Sequence, residues 1–322
     1  MRRFPALRLS AAAALSALFV TGAAISATPQ SAQAQTLLPV NYDFIAGAAT
    51  TFASPQTPPP GADVGCKLTS AHPDPVILVH GTFANQDDNW QAASPVLANH
   101  GYCVYSFNYG GSSPSSVVQG TGDIAASAGQ LASFVTQVLA ETGAAKVDLV
   151  GHSQGGMMPR YYLKFLGGAQ YVNTFVALAP SNHGTTLDGL TTLVDLLGGA
   201  GLVDSALNPL CTACVEQEAG SSFLASLNAG GETVPGVNYT VIESRDDEVV
   251  TPYTSAFLTG SDVTNITVQN QCALDQSDHL EIAADPIAMA DMLNALDPAH
   301  PVRVPCLVVL PVTGPVGPVP AF

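Results

Sequence analysis

The stretch Lys146-Val147-Asp148-Leu149-Val150-Gly151-His152-Ser153-Gln154-Gly155 restricts the chain to few architectures. A short apolar run leads straight into Gly-x-Ser-x-Gly, and a helical pattern follows from about Gly155 to Phe165, where Gly167-Gly168 stops it. A strand that turns sharply into a helix at a serine lifts the hydroxyl above the edge of a sheet. Glycines flank it because the turn is strained and other backbone passes close by. The amide end of the helix faces the same point and favours negative charge developing there. The pattern alone is short and common; the strand before it and the helix after it give it meaning.

The rest of the chain supplies a sheet for that turn to stand on. Pro75-Val76-Ile77-Leu78-Val79 is an unbroken apolar run, as expected of a strand buried on both faces. Cys103 to Phe107, Val172 to Leu178, Tyr239 to Glu243 and Ile266 to Val268 read as further strands. Helices are expected over Ile124 to Leu139 and from Pro286 to Leu296, the latter capped by Asp285 with proline in its first turn. This alternation predicts an α/β fold, a mainly parallel central sheet covered by helices. Between the fourth and fifth strands an insertion, about 185–235, carries Leu190, Leu193, Val194, Leu196, Leu197, Leu202 and Val203 and reads as a helical cap or lid.

The ends read differently. Arg2 and Arg3, an apolar stretch to Ala27 and Ala32-Gln33-Ala34 form the pattern of a signal peptide over residues 1–34, which predicts a secreted, extracellular protein. Residues 35–65 read as an extended N-terminal arm, since Thr57-Pro58-Pro59-Pro60-Gly61 suits neither helix nor central strand. The catalytic domain is expected over 66–300, and 301–322 as an extended Pro-rich tail. The six cysteines form an even set, natural for disulfides in an exported chain. The expected bonds close local stretches: Cys66 with Cys103, Cys211 with Cys214, and Cys272 with Cys306. Cys211-Thr-Ala-Cys214 lacks the surroundings of a redox or zinc motif. The formal net charge of −16 argues against nucleic acid as a partner, because acidic surfaces repel phosphate backbones.

A serine hydroxyl needs a base, and the base needs a carboxylate. In a strand–serine–helix site the acid follows the serine in the chain and the histidine follows the acid. Of the three histidines after Ser153, His183 precedes any acid on a later strand end, and His300 begins the Pro-rich tail. His279 lies in a polar turn after the sixth strand, where such sheets build their sites. The acid comes from the loop after the fifth strand, where spacing leaves Asp246, Asp247 and Glu248 open. Oxyanion donors are expected from Gln154, next to the nucleophile, and from the His80-Gly81-Thr82 loop, with Thr82 favoured over Phe83. His80 and His152 read as supports, and no metal-ligand cluster stands out.

With these segments in hand, the chain resembles the secreted bacterial lipases and esterases of the lipase class 2 type, actinobacterial ones in particular. The resemblance rests on Val79-His80-Gly81-Thr82-Phe83-Ala84-Asn85, Asp88-Asn89-Trp90, Gly151 to Met157, Ala177-Leu178-Ala179-Pro180, Asn182-His183-Gly184-Thr185 and Asp278-His279-Leu280. It implies an α/β-hydrolase fold, ester or lipid substrates met at a lipid–water interface, and no cofactor. Asp247-Glu248-Val249-Val250-Thr251-Pro252 looks like the family's acid motif, which points to Asp247 as the partner of His279. Rival readings are a polyester or cutin hydrolase with the same triad, and a secreted binding protein on a hydrolase scaffold.

Overall fold

The computed structural model describes residues 37–51, 53–196 and 211–321. The expected signal peptide and the part of the insertion holding Leu197, Leu202 and Val203 lie outside the described residues. The strands are β1 (Val76–Val79), β2 (Val104–Ser106), β3 (Val147–His152), β4 (Val172–Leu178), β5 (Asn238–Glu243) and β6 (Val263–Thr267). They form one sheet in the order β2-β1-β3-β4-β5-β6, every pair parallel. The α-helices are α1 (Phe44–Thr51), α2 (Ala93–Asn99), α3 (Ile124–Thr142), α4 (Gln154–Met157), α5 (Pro159–Phe165) and α6 (Leu187–Leu196). They continue with α7 (Thr212–Glu216), α8 (Ser222–Asn228), α9 (Val268–Gln271) and α10 (Pro286–Leu296).

Successive strand residues point to opposite faces, so each buried strand feeds two apolar layers. Ile77, Val79 and Leu149 join Leu131, Val135 and Leu163 of α3 and α5 on one side. Val76 and Leu78 join Leu97 of α2 with Met289 and Met292 of α10 on the other. Helix α10 starts as its sequence dictates: the Asp285 carboxylate accepts from the amides of Ile287 and Ala288, and Pro286 occupies the first turn.

Four segments depart from expectation. The stretch 155–165 is two helices, because Pro159 has no amide hydrogen to carry the ladder through and instead opens α5. Strand β6 starts at Val263, and Val268 already belongs to α9; as an edge strand it is half exposed and polar, so it has no apolar signature. The arm is not simply extended: α1 forms within it and buries Phe44, whose ring lies 6.3 Å from that of His152. Beyond the Pro run, Ala62 pairs with Val104 and the Asp63 amide donates to the Val104 carbonyl, covering the free edge of β2. The tail is also partly folded, since Val309–Leu310 pairs antiparallel with Gly314–Pro315.

Disulfides join Cys66 to Cys103, Cys211 to Cys214 and Cys272 to Cys306. Among the described residues no helix is long and apolar enough to cross a membrane.

Candidate active site

The chain runs from β1 outward to β2 and then returns to β3 on the far side of β1. Loops leaving β1 and β3 therefore diverge and open a crevice at their carboxyl ends, where open parallel sheets bind ligands. Ser153 stands there, directly after β3, with φ 55° and ψ −120°. This backbone is strained for a residue with a side chain and persists only where the surroundings fix it. They do so tightly. A Cβ on Gly155 would lie 2.0 Å from the Val79 carbonyl oxygen, and one on Gly151 would lie 1.8 Å from that of Gly155. The Ser153 amide donates to the Leu178 carbonyl of β4 at 2.9 Å, fastening the turn to the neighbouring strand.

The structure brings Ser153, His279 and Asp247 into one hydrogen-bonded line. His279 Nε2 is 3.0 Å from Ser153 Oγ, and Nδ1 donates to Asp247 Oδ2 at 2.7 Å. The side chains of Asp247 and His279 have no exposed surface. The other Asp247 oxygen, Oδ1, accepts from the amides of Val249 and Val250 at 2.8 and 2.7 Å. Asp246 is exposed instead, and Glu248 is partly buried without joining the line. Burial pushes the His279 imidazole toward its neutral form. The charge and hydrogen bond of Asp247 outweigh that, aided by Glu248 and Asp278, and hold its pKa above the ordinary 6.5.

The remaining histidines serve elsewhere. His152 Nε2 donates to the His279 carbonyl at 2.8 Å, bracing the backbone that carries the His279 ring, and burial drives its pKa down to about 3. His80 stacks on Tyr109 with ring centres 4.2 Å apart, and Tyr109 donates its hydroxyl to the His80 carbonyl. His183 bridges the Ser255 carbonyl and Glu232, and His300 contacts Asp297 on the surface.

Opposite the histidine, the loop after β1 packs on the serine turn: a Cβ on Gly81 would come within 3.2 Å of Ser153 Cβ. The Gly81 amide donates to Asn89 Oδ1, and the Phe83 amide is engaged by the Gln119 carbonyl at 3.0 Å. The Phe83 amide is therefore already engaged within the chain. The Gln154 amide is the first of α4, where no intrahelical acceptor exists. The Thr82 hydroxyl accepts from Gln154 Nε2 and from Gln217 Nε2, each at 2.9 Å.

Gln217 follows α7 in the insertion, and sequence reasoning missed it. Its Oε1 accepts from Ser181, and its Nε2 also reaches the Ala213 carbonyl. No local pattern marks a glutamine that meets its partner 135 positions away. Among the described residues no cluster of metal-ligating side chains occurs. A cavity of about 580 Å³ lined by Asn173, Asn238 and Asp262 opens at the amino ends of β4 to β6, on the opposite edge from Ser153.

The lipase (class 2) description matches residues 73–290, a span that holds the serine turn, the acid loop and the histidine loop. The chain belongs to the lipase (class 2) family. Within that assignment, a triacylglycerol lipase of Burkholderia plantarii is 43% identical over 124 residues, 36% of this chain and 31% of the relative. A triacylglycerol lipase of Pseudarthrobacter phenanthrenivorans is 46% identical over 92 residues, 27% of each chain. The matched stretches thus span about a third or less of these curated relatives. Lipase B of Aspergillus fumigatus superposes with a TM-score of 0.59 at 22% identity, covering 80% of this chain and 56% of the other. That likeness speaks for the fold, and this class 2 lipase family member has the α/β-hydrolase fold.

Proposed function

We propose that this chain is a secreted carboxylic ester hydrolase that cleaves acylglycerols and related lipid esters through an acyl-enzyme on Ser153. The observation that carries the reading is the buried line from Asp247 through His279 to Ser153. His279 Nε2 takes the hydroxyl proton as Ser153 Oγ attacks the ester carbonyl, and Asp247 stabilises the imidazolium that results. The oxyanion is met by the amides of Thr82 and Gln154. A hydroxyl has one donor and two acceptor positions; two side-chain amides donate to that of Thr82, so its own hydrogen is left for the oxyanion as a third donor. His279 then returns the proton to the departing alcohol. Water, deprotonated by the same imidazole, attacks the acyl-enzyme, releases the carboxylic acid and restores Ser153. Membership of the lipase family and the two relatives support the substrate class. The N-terminal pattern and three disulfides support export.

The deciding experiment measures hydrolysis of p-nitrophenyl esters from acetyl to palmitoyl and of emulsified triglyceride, with Ser153→Ala alongside. The wild type is expected to turn over and the variant to lose at least about 10⁴-fold in kcat. Near-normal turnover by Ser153→Ala would remove the nucleophile assignment. An inactive wild type on every ester would remove the enzymatic reading.

A further inference from the structure

Glu243 ends β5, four positions before Asp247 in the chain, and is fully buried. Its Oε1 accepts from the Ser244 amide at 2.8 Å, whereas its Oε2 is buried with no donor facing it. The group within hydrogen-bonding reach is another carboxyl, that of Asp247. Among the described residues no base is shown between them: Arg245 is exposed and bonds to Asn270, and His279 is joined to Asp247. Two ionised carboxylates in dry contact repel strongly, and a carboxylate oxygen without a donor is costly to bury. A single proton between them removes both penalties.

We infer that Glu243 is a neutral carboxylic acid whose Oε2 hydroxyl donates to the Asp247 carboxylate, making it a positioning residue for the catalytic line. The inference rests on the role proposed for Asp247. Burial, with the charge of Asp247 second, pushes the Glu243 pKa well above the ordinary 4.5. The donated bond completes a shell around Asp247 with the Val249 and Val250 amides and His279. It also withdraws charge from Asp247 and so moderates how far the carboxylate raises the base. The charged and titratable groups acting on His279 from neighbouring elements are Asp247, Glu248 and Asp278, with the His152 ring 5.2 Å away.

The test compares the full chain with Glu243→Gln and Glu243→Leu, by thermal melting across pH and by the acid limb of kcat/KM. Glutamine keeps the shape and can still donate, but carries no titratable proton. An unfolded glutamate ionises above about pH 4.5 while the folded one stays neutral, so this residue costs stability increasingly as pH rises. Glu243→Gln is therefore expected to match the wild type near pH 4 and to melt several degrees higher near pH 7, with the acid limb unmoved. Glu243→Leu removes the donor, and its acid limb is expected to move up by about half a unit or more, with kcat lowered about tenfold.

A melting gap that does not open with pH, or an acid limb that falls in Glu243→Gln, means an ionised Glu243 and overturns the inference. An unmoved limb in a folded Glu243→Leu overturns the positioning role. If the leucine variant does not fold, the glutamine variant decides alone. Melting needs no turnover, so it reports the proton even if Ser153→Ala refutes the catalytic reading.

Discussion

Two regions converge on the hydroxyl of Thr82 by different means. The serine turn reaches it through Gln154 and is wedged between strands, with Gly151 and Gly155 pressed against backbone carbonyls. The insertion reaches it through Gln217 and is held by discrete polar links. Ser181 donates to Gln217, the Thr185 hydroxyl donates to the Val249 carbonyl in the acid loop, and Cys211–Cys214 closes the start of α7. Close packing tolerates almost no change, whereas a set of hydrogen bonds loses strength in steps. The first region fixes where Ser153 stands; the second adds one hydrogen bond to the Thr82 hydroxyl.

That contrast breaks most sharply at Gly155. Gly155→Ala is expected to cost about 4 kcal/mol or more, because the obstructing atoms are backbone carbonyls that cannot step aside. Urea denaturation measures it, and a loss below about 1 kcal/mol would show the turn to be looser than its geometry. Asp247→Asn tests the chemistry while preserving shape: kcat is expected to fall about 10⁴-fold with the fold intact. The pH profile gives the sign. With His279 as the proposed base, active only when neutral, its raised pKa is expected to put the wild-type acid limb on the alkaline side of the ordinary histidine value, and removing the Asp247 charge is expected to lower that limb in the residual activity.

The insertion should respond more gently. Gln217→Leu removes one of two donors to Thr82 and is expected to lower kcat about tenfold with KM little changed, less than loss of a direct oxyanion donor. A change in KM alone would assign Gln217 to substrate binding. A modest effect, on stability and not on turnover, is expected from Cys211→Ser with Cys214→Ser. The bond spans a sequence separation of 3, so loop closure accounts for roughly 2 kcal/mol, read as a modest drop in Tm.

Legibility in the sequence follows the same division. The serine turn, strands β1 to β5 and helix α10 were readable because local rules write them: unbroken apolar runs, paired glycines, a capping aspartate. From spacing alone the acid was readable only as a trio, and it took the resemblance of the stretch from Asp247 to Pro252 to the family's acid motif to point to Asp247. What separates Asp247 from Asp246 is which carboxylate turns inward to the Val249 and Val250 amides, and spacing does not carry that direction. The edge strand β6 was misplaced because its exposed polar face has no alternation to detect. Helix α1 was missed because eight small and mixed residues beside a Pro-rich run gave no periodic signal, and its anchor, Phe44 against His152, lies far off in sequence. Gln217 and Glu243 escaped for a related reason. Each matters through a partner that only the folded chain supplies.

The loop that carries His279 has its own late dependence. Cys272 at its start is bonded to Cys306, Asp275 pairs with Val309, and the Gln276 amide donates to the Val309 carbonyl. Ser153, Asp247 and the loop that holds Thr82 all precede these residues in the chain. Synthesis therefore delivers Cys306 and Val309, these anchors of the His279 loop, after Ser153, Asp247 and His279 themselves. The loop that presents His279 to Ser153 is thus held by chain that follows it, so a protein cut short before Cys306 would keep both side chains but lack this clasp.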